Sequence, residues 1–142
     1  MMMLKNRVFL KCIGCCVIFL LFSCSASVEL KWLEGYWQIE KVTQENETFV
    51  PALGNVQYDY YTLTNPEKGF RKKLSPSFGS ILTTSRDQTN FELIKEGDSW
   101  VLSFETAWDK WQEKLIVLDS LQLILEHNNK RYFYKHQYPT DE

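Results

Sequence analysis

The residues able to do chemistry are few, and the first of them is a cysteine. Leu21-Phe22-Ser23-Cys24 closes an apolar run from Val8 to Phe22, which follows Lys5 and Arg7 and is broken only by Lys11 and Gly14. A charged start, a short apolar stretch and a small residue before the cut are the parts of a secretory signal. The run of 15 residues is short of the roughly 20 that a spanning helix needs, and an uncleaved N-terminal anchor is the alternative reading. A cut before Cys24 would discard Cys12, Cys15 and Cys16, so that Cys12-Ile13-Gly14-Cys15-Cys16, with its look of a redox or metal motif, would leave with the leader. His127 and His136 are the only histidines, and neither has the two or three convergent partners a zinc ion needs. Glu105, Asp109 and Glu113 could face one another across strands as paired carboxylates. That arrangement is available to almost any acidic sheet protein. There is no nucleophile elbow, glycine-rich phosphate loop or His-Glu-x-x-His segment, so no cofactor is expected.

Leu21 to Cys24 resembles the lipobox of bacterial lipoproteins, with Phe22 bulkier than the usual second residue. The resemblance implies a signal peptide over 1–23 and a lipid on Cys24, which would leave no free thiol, followed by a short tether over 24–32. It implies a chain held at a bacterial cell envelope through that lipid. The outer membrane is favoured, because Ser25 stands where an aspartate resembles an inner-membrane retention signal.

The 142-residue chain less its 23-residue leader leaves 119 residues, with 13 basic and 18 acidic side chains and a formal net charge of −5. That is one ordinary domain, large enough to build a core without disulfides. The acidic balance argues against nucleic acid as a partner. All five tryptophans and all seven tyrosines fall in the mature part, an aromatic load that suits sheets.

The pattern along the chain is of short strands. Leu30 to Glu34 reads as one helical turn or as extended chain. Strands follow over Tyr36–Val42, Val56–Thr64 and Phe70–Leu74, the last ended by Pro76 and Gly79. A weak strand over Ser80–Thr84 leads into a polar loop, Ser85–Asn90. Phe91–Lys95 and Trp100–Thr106 flank Glu96-Gly97-Asp98-Ser99, a hairpin signal. Trp111–Leu118, Leu121–Glu126 and Lys130–His136 complete the set, with a helix over Ala107–Lys114 as the alternative for part of it. Eight or nine antiparallel strands in one domain suit a closed up-and-down barrel or a sandwich. Periodicity does not choose between them.

Gly35-Tyr36-Trp37, after a stretch that reads as a helical turn or as extended chain, resembles the signature of the lipocalin superfamily. The mature chain is similar to the small lipocalin-like lipoproteins of Bacteroidetes through Gly69–Lys73, Trp108–Trp111 and Arg131–Tyr134. The likeness runs from about Leu33 to Gln137. It implies an all-β, lipocalin-like up-and-down barrel over 33–137, with 138–142 as a tail. It also implies that Trp37 plugs the closed end beneath Arg131 of the last strand. Tyr58, Tyr60 and Tyr61 with Phe70 are candidates for an aromatic ligand wall, or else for plain core with tyrosine hydroxyls at its rim. Lys72 shares parity with Phe70 and Leu74 and is the inward basic candidate, with Arg71 and Lys73 turned to solvent. The function expected is a non-catalytic, membrane-anchored binding domain for a small apolar or amphiphilic ligand. A filled barrel serving as an envelope-protein interaction or structural module is the alternative. An enzyme or enzyme inhibitor with a loop-built site is the competing class.

Overall fold

The computed structural model describes residues 28–52, 56–77 and 80–138. The leader, Cys24 and the end of the tail lie outside the described residues. Among the described residues nine strands form one antiparallel sheet: β1 Gly35–Gln44, β2 Glu47–Phe49, β3 Tyr58–Asn65, β4 Lys68–Ser77, β5 Ser80–Glu96, β6 Ser99–Glu105, β7 Lys110–Leu118, β8 Gln122–His127 and β9 Lys130–Gln137. From β3 to β9 each strand pairs with the next in sequence, and β1 pairs with both β3 and β9. That last pairing closes an eight-stranded up-and-down barrel. β2 is an addition, zipped to the far half of β1 through Val42↔Phe49 and Gln44↔Glu47, where β3 no longer reaches.

The two ends of the barrel differ. A 3-10 turn, Leu30–Leu33, lies across one of them, putting Leu33 at 0% exposure while Trp32 stays outside. The β3–β4, β5–β6 and β7–β8 turns share this closed end. The β1–β2, β6–β7 and β8–β9 turns lie at the other, open end. The β8–β9 turn is built on Asn128 and Asn129, both at positive φ (49° and 60°), as a tight two-residue hairpin needs. Inward positions along the strands carry the core, which includes Trp37, Tyr61, Phe91, Leu93, Leu102, Phe104, Leu115, Leu123, Leu125 and Tyr134.

Two glycines are required by space. At Gly35, φ is +120° and an added Cβ would stand 2.7 Å from Nε2 of His136. At Gly69 a Cβ would strike the Thr62 carbonyl and the Phe91 ring, so the closed-end half of β4 lies flush beneath an aromatic.

Several boundaries depart from the sequence reading. Ser85–Asn90 is not a loop but part of the 17-residue β5, held in the ladder by a register shift that sets Lys72 opposite Gln88 and Leu74 opposite Thr84. Pro76 does not end β4, because a second shift between Ser75 and Ser77 takes its missing N–H out of the pairing. Of the Trp108–Trp111 segment, Trp108 stands in the β6–β7 turn, 95% exposed, and only Lys110 and Trp111 belong to β7. The stretch 110–114 is strand, with Trp111 and Glu113 inward and Lys110, Gln112 and Lys114 outward.

Candidate functional site

Midway along the barrel the apolar core gives way to charge. On β4, Arg71 faces inward and is buried, and its Nη1 donates to both carboxylate oxygens of Glu113 on β7 at 2.9 Å. The same nitrogen makes a long 3.4 Å contact to the Tyr61 hydroxyl on β3. The guanidinium lies over the Phe104 ring, 4.3 Å from its centroid, and Trp111 stacks on Phe104 at 5.0 Å and 8°. Trp111 Nε1 also donates to Glu113 Oε1 at 2.9 Å. The carboxylate therefore accepts from an arginine and an indole at once.

A second carboxylate lies across the barrel. Asp59 is 2% exposed and accepts from the Tyr134 hydroxyl at 3.0 Å and from Lys73 Nζ at 2.8 Å. The Lys73 side chain is 63% exposed against 3% for Asp59. This ion pair thus runs from the buried layer to solvent at the open end. Half-buried Trp111 and Tyr132 stand beside that layer.

Burial disfavours the phenolate of Tyr61, and with Asp59 and Glu113 adding to it against the opposing pull of Arg71, its pKa lies well above the ordinary 10.0. Tyr134 is raised well above the same value, by burial first and then by Asp59. Tyr132 is raised too, by burial and then by Glu113. Burial alone would lower Arg71, but Tyr61, Glu113 and Asp59 outweigh it and the pKa ends raised. Three neutral phenols and a fixed guanidinium hold and orient polar groups; none of them is an activated nucleophile or base near neutral pH.

The sequence-derived site residues are arranged differently from the expectation. Gly35 and Trp37 stand at the closed end, with Trp37 at 0% exposure and its Nε1 donating to the Leu33 carbonyl at 2.8 Å. Arg131 does not cover Trp37. It pairs with Thr43 near the open end and is bound on the outer face to Glu126 at 2.7 Å. His136 occupies the place across from Trp37 instead.

Lys72 is not inward. Tyr58, Tyr60, Phe70 and Lys72 do come together on one face, but it is the outer one. Tyr60 lies opposite Lys72 in the ladder, Tyr60 and Tyr36 touch at 4.7 Å, and Lys72 Nζ lies 5.5 Å over Phe70. The inward basic residues are Arg71 and Lys73, the pair expected at the surface. Parity alone could have found them once Tyr61, which lies opposite Arg71, was taken as core.

The remaining candidates do not converge. Glu105 is outside, paired with Lys110, and Asp109 caps the β6–β7 turn. His127 holds the Gln112 carbonyl at the open end, while His136 lies at the closed end. Among the described residues no three His, Cys, Asp or Glu side chains are grouped to hold a metal. Two grooves on the outer wall flank β6. One, of about 920 Å³, includes Val101, Gln112, Lys114 and Glu126. The other, of about 590 Å³, includes Phe70, Asn90, Glu92 and Glu105.

No family model and no curated protein matches the chain. Among solved structures it is similar to a lipocalin-like protein from Bacteroides uniformis at 13% identity and TM-score 0.46, over 75% of this chain and 99% of that one. An uncharacterized protein from Bacteroides eggerthii matches at 8% identity and TM-score 0.47, over 74% and 99%. A de novo designed fluorescence-activating β-barrel matches at 8% identity and TM-score 0.47, over 78% and 100%.

Proposed function

We propose that this domain is a non-catalytic binding module, held at a bacterial cell envelope by a lipid on Cys24, that takes a small amphiphilic molecule at the open end of its barrel. The observation carrying the reading is the gradient along the interior. It runs from the apolar plug of Leu33 and Trp37, through the Arg71–Glu113 and Asp59–Tyr134 layer, to half-buried Trp111 and Tyr132 and the solvent-reaching Lys73. Aromatic walls around a few fixed polar groups suit a ligand with one apolar and one polar part. Because Arg71 and Glu113 neutralise each other, a zwitterionic or hydroxylated head group fits this layer better than a bare anion.

Native mass spectrometry of the protein extracted from its host's membranes tests this. A retained small molecule, lost in Lys73→Met and kept in the outer-face variant Lys72→Met, is the expected result. Ligand-free protein from fresh membranes would overturn it. A second reading, an envelope-protein interaction module, is favoured by the open-end rim, where Trp108, Val50 and Phe49 are 95%, 71% and 57% exposed. A stoichiometric partner that is released by Trp108→Ser would establish that reading in its place.

A further inference from the structure

We infer that the closed end of the barrel is a membrane-seating surface, docked on the lipid bilayer with the open end turned away from it. This rests on the lipid anchor at Cys24 proposed above. Among the described residues, Val28 and Trp32 at 40%, Leu121 at 66% and Tyr138 at 64% are large apolar side chains exposed at that end. They come from three separate segments, two of which are hydrogen-bonded to each other. The Tyr138 hydroxyl donates to the Ser120 carbonyl at 3.4 Å, and the His136 amide donates to the Leu121 carbonyl at 2.9 Å, fixing the end of β9 against the β7–β8 turn. The 3-10 turn turns Leu30 and Leu33 to the core and leaves Trp32 outside, with Lys31 Nζ 5.4 Å over its ring. Leu33 already fills the barrel end, so Trp32 and Leu121 have no core left to enter. Tryptophan and tyrosine with a lysine alongside are the side chains that settle at the level of lipid head groups.

The tether selects the occupant. Cys24 precedes Val28 by four residues, which at about 3.5 Å each gives a reach of at most roughly 14 Å. The open-end apolar group of Phe49, Val50 and Trp108 lies a strand away. The nine residues of β7 run about 30 Å at roughly 3.3 Å per residue, and about 23 Å along a barrel axis tilted some 40°. A lipid on Cys24 therefore presses the closed end, and not the open one, against the bilayer. Asp98 and Asp119 sit in turns at this end, so anionic lipid is not the attraction, and seating should be independent of it.

The test uses the full chain, expressed with its leader, purified from membranes and reconstituted into phosphatidylcholine vesicles containing acyl-chain-brominated lipid, with and without 25% phosphatidylglycerol. Intact mass is read first. Bromine quenching of tryptophan emission is expected in the acylated wild type at both compositions. Quenching should be largely lost in Trp32→Phe and unchanged in Trp108→Phe, and a dye on Leu121→Cys should shift to the blue on reconstitution. An acylated protein with no quenching and no dye shift overturns the seating while leaving the anchor intact. Quenching that disappears in Trp108→Phe instead overturns it in favour of the opposite end. A chain without acyl mass overturns the anchor, and the seating with it.

Discussion

The indole of Trp37 meets the imidazole of His136 edge-on, with ring centroids 4.8 Å apart and planes at 88°, from positions opposite one another on β1 and β9. This contact locks the barrel seam at its closed end, and Gly35 leaves the room for it. Trp37→Ala should cost about 3–5 kcal/mol by opening a core cavity. Arg131→Ala removes only an exposed pair with Glu126 and should cost under about 1 kcal/mol. Urea unfolding followed by circular dichroism compares them; equal losses would restore Arg131 as the partner of Trp37.

The Arg71–Glu113 pair, with side chains 9% and 12% exposed, should behave as a unit. Arg71→Met or Glu113→Leu alone strands a charge in the interior and is expected to cost about 3–5 kcal/mol. The two changes together should recover most of that loss, because the desolvation of both ions is removed with them. A double-mutant cycle reads the coupling directly. Simple additivity would mean that the two charges do not sense each other.

Tyr61 and Tyr134 have pKa values raised above 10.0 in the folded state, mainly by burial. The native state then binds more protons than the unfolded chain once the pH passes about 10, so the associated stability is complete below that pH and falls as pH rises above it. Spectrophotometric titration at 295 nm should show exposed tyrosines ionising first. Tyr61 and Tyr134 should ionise only with the cooperative loss of circular dichroism, and Tyr61→Phe should move that loss to higher pH. Smooth ionisation of every tyrosine in a protein that stays folded would contradict their burial.

Most of the strands and the hairpin at Gly97 were legible in the sequence, because alternation and turn chemistry are local. The closed barrel and the special standing of Gly35 and Trp37 came instead from the resemblance that begins at Gly35-Tyr36-Trp37, since alternation fits a sandwich as well as a barrel, and the short β2 (Glu47–Phe49) went unread. The facing of β3 and β4 was not legible. Alternation groups Tyr58 with Tyr60 and Tyr61 with Asp59, but both groups contain aromatics, and only the barrel decides which looks inward. A buried aspartate and arginine on the inner set made the outer set the more apolar of the two, and so the misleading one. The polar run Ser85–Asn90 was hidden because it contains no apolar residue to alternate, and it pairs with β4 next to a register shift. The partner of Trp37 turned on the register between β1 and β9, which sets His136 opposite Trp37 and Arg131 opposite Thr43, and no local pattern in either strand reports that register.

Every neighbouring pair from β3 to β9 is joined by its own short connection, whereas β1 and β9 meet across almost the whole domain. Hairpin contacts form early because little chain must be gathered to make them. The seam must wait, since it closes a loop of about 90 residues and the entropy of that closure comes due in one step. Until then both β1 and β9 offer a bare row of amides and carbonyls to any passing strand. A second copy caught in that interval can supply the missing neighbour, and the product is an exchanged dimer. The folded barrel has no such edge along its seam, so the hazard belongs to the time before closure and ends with it.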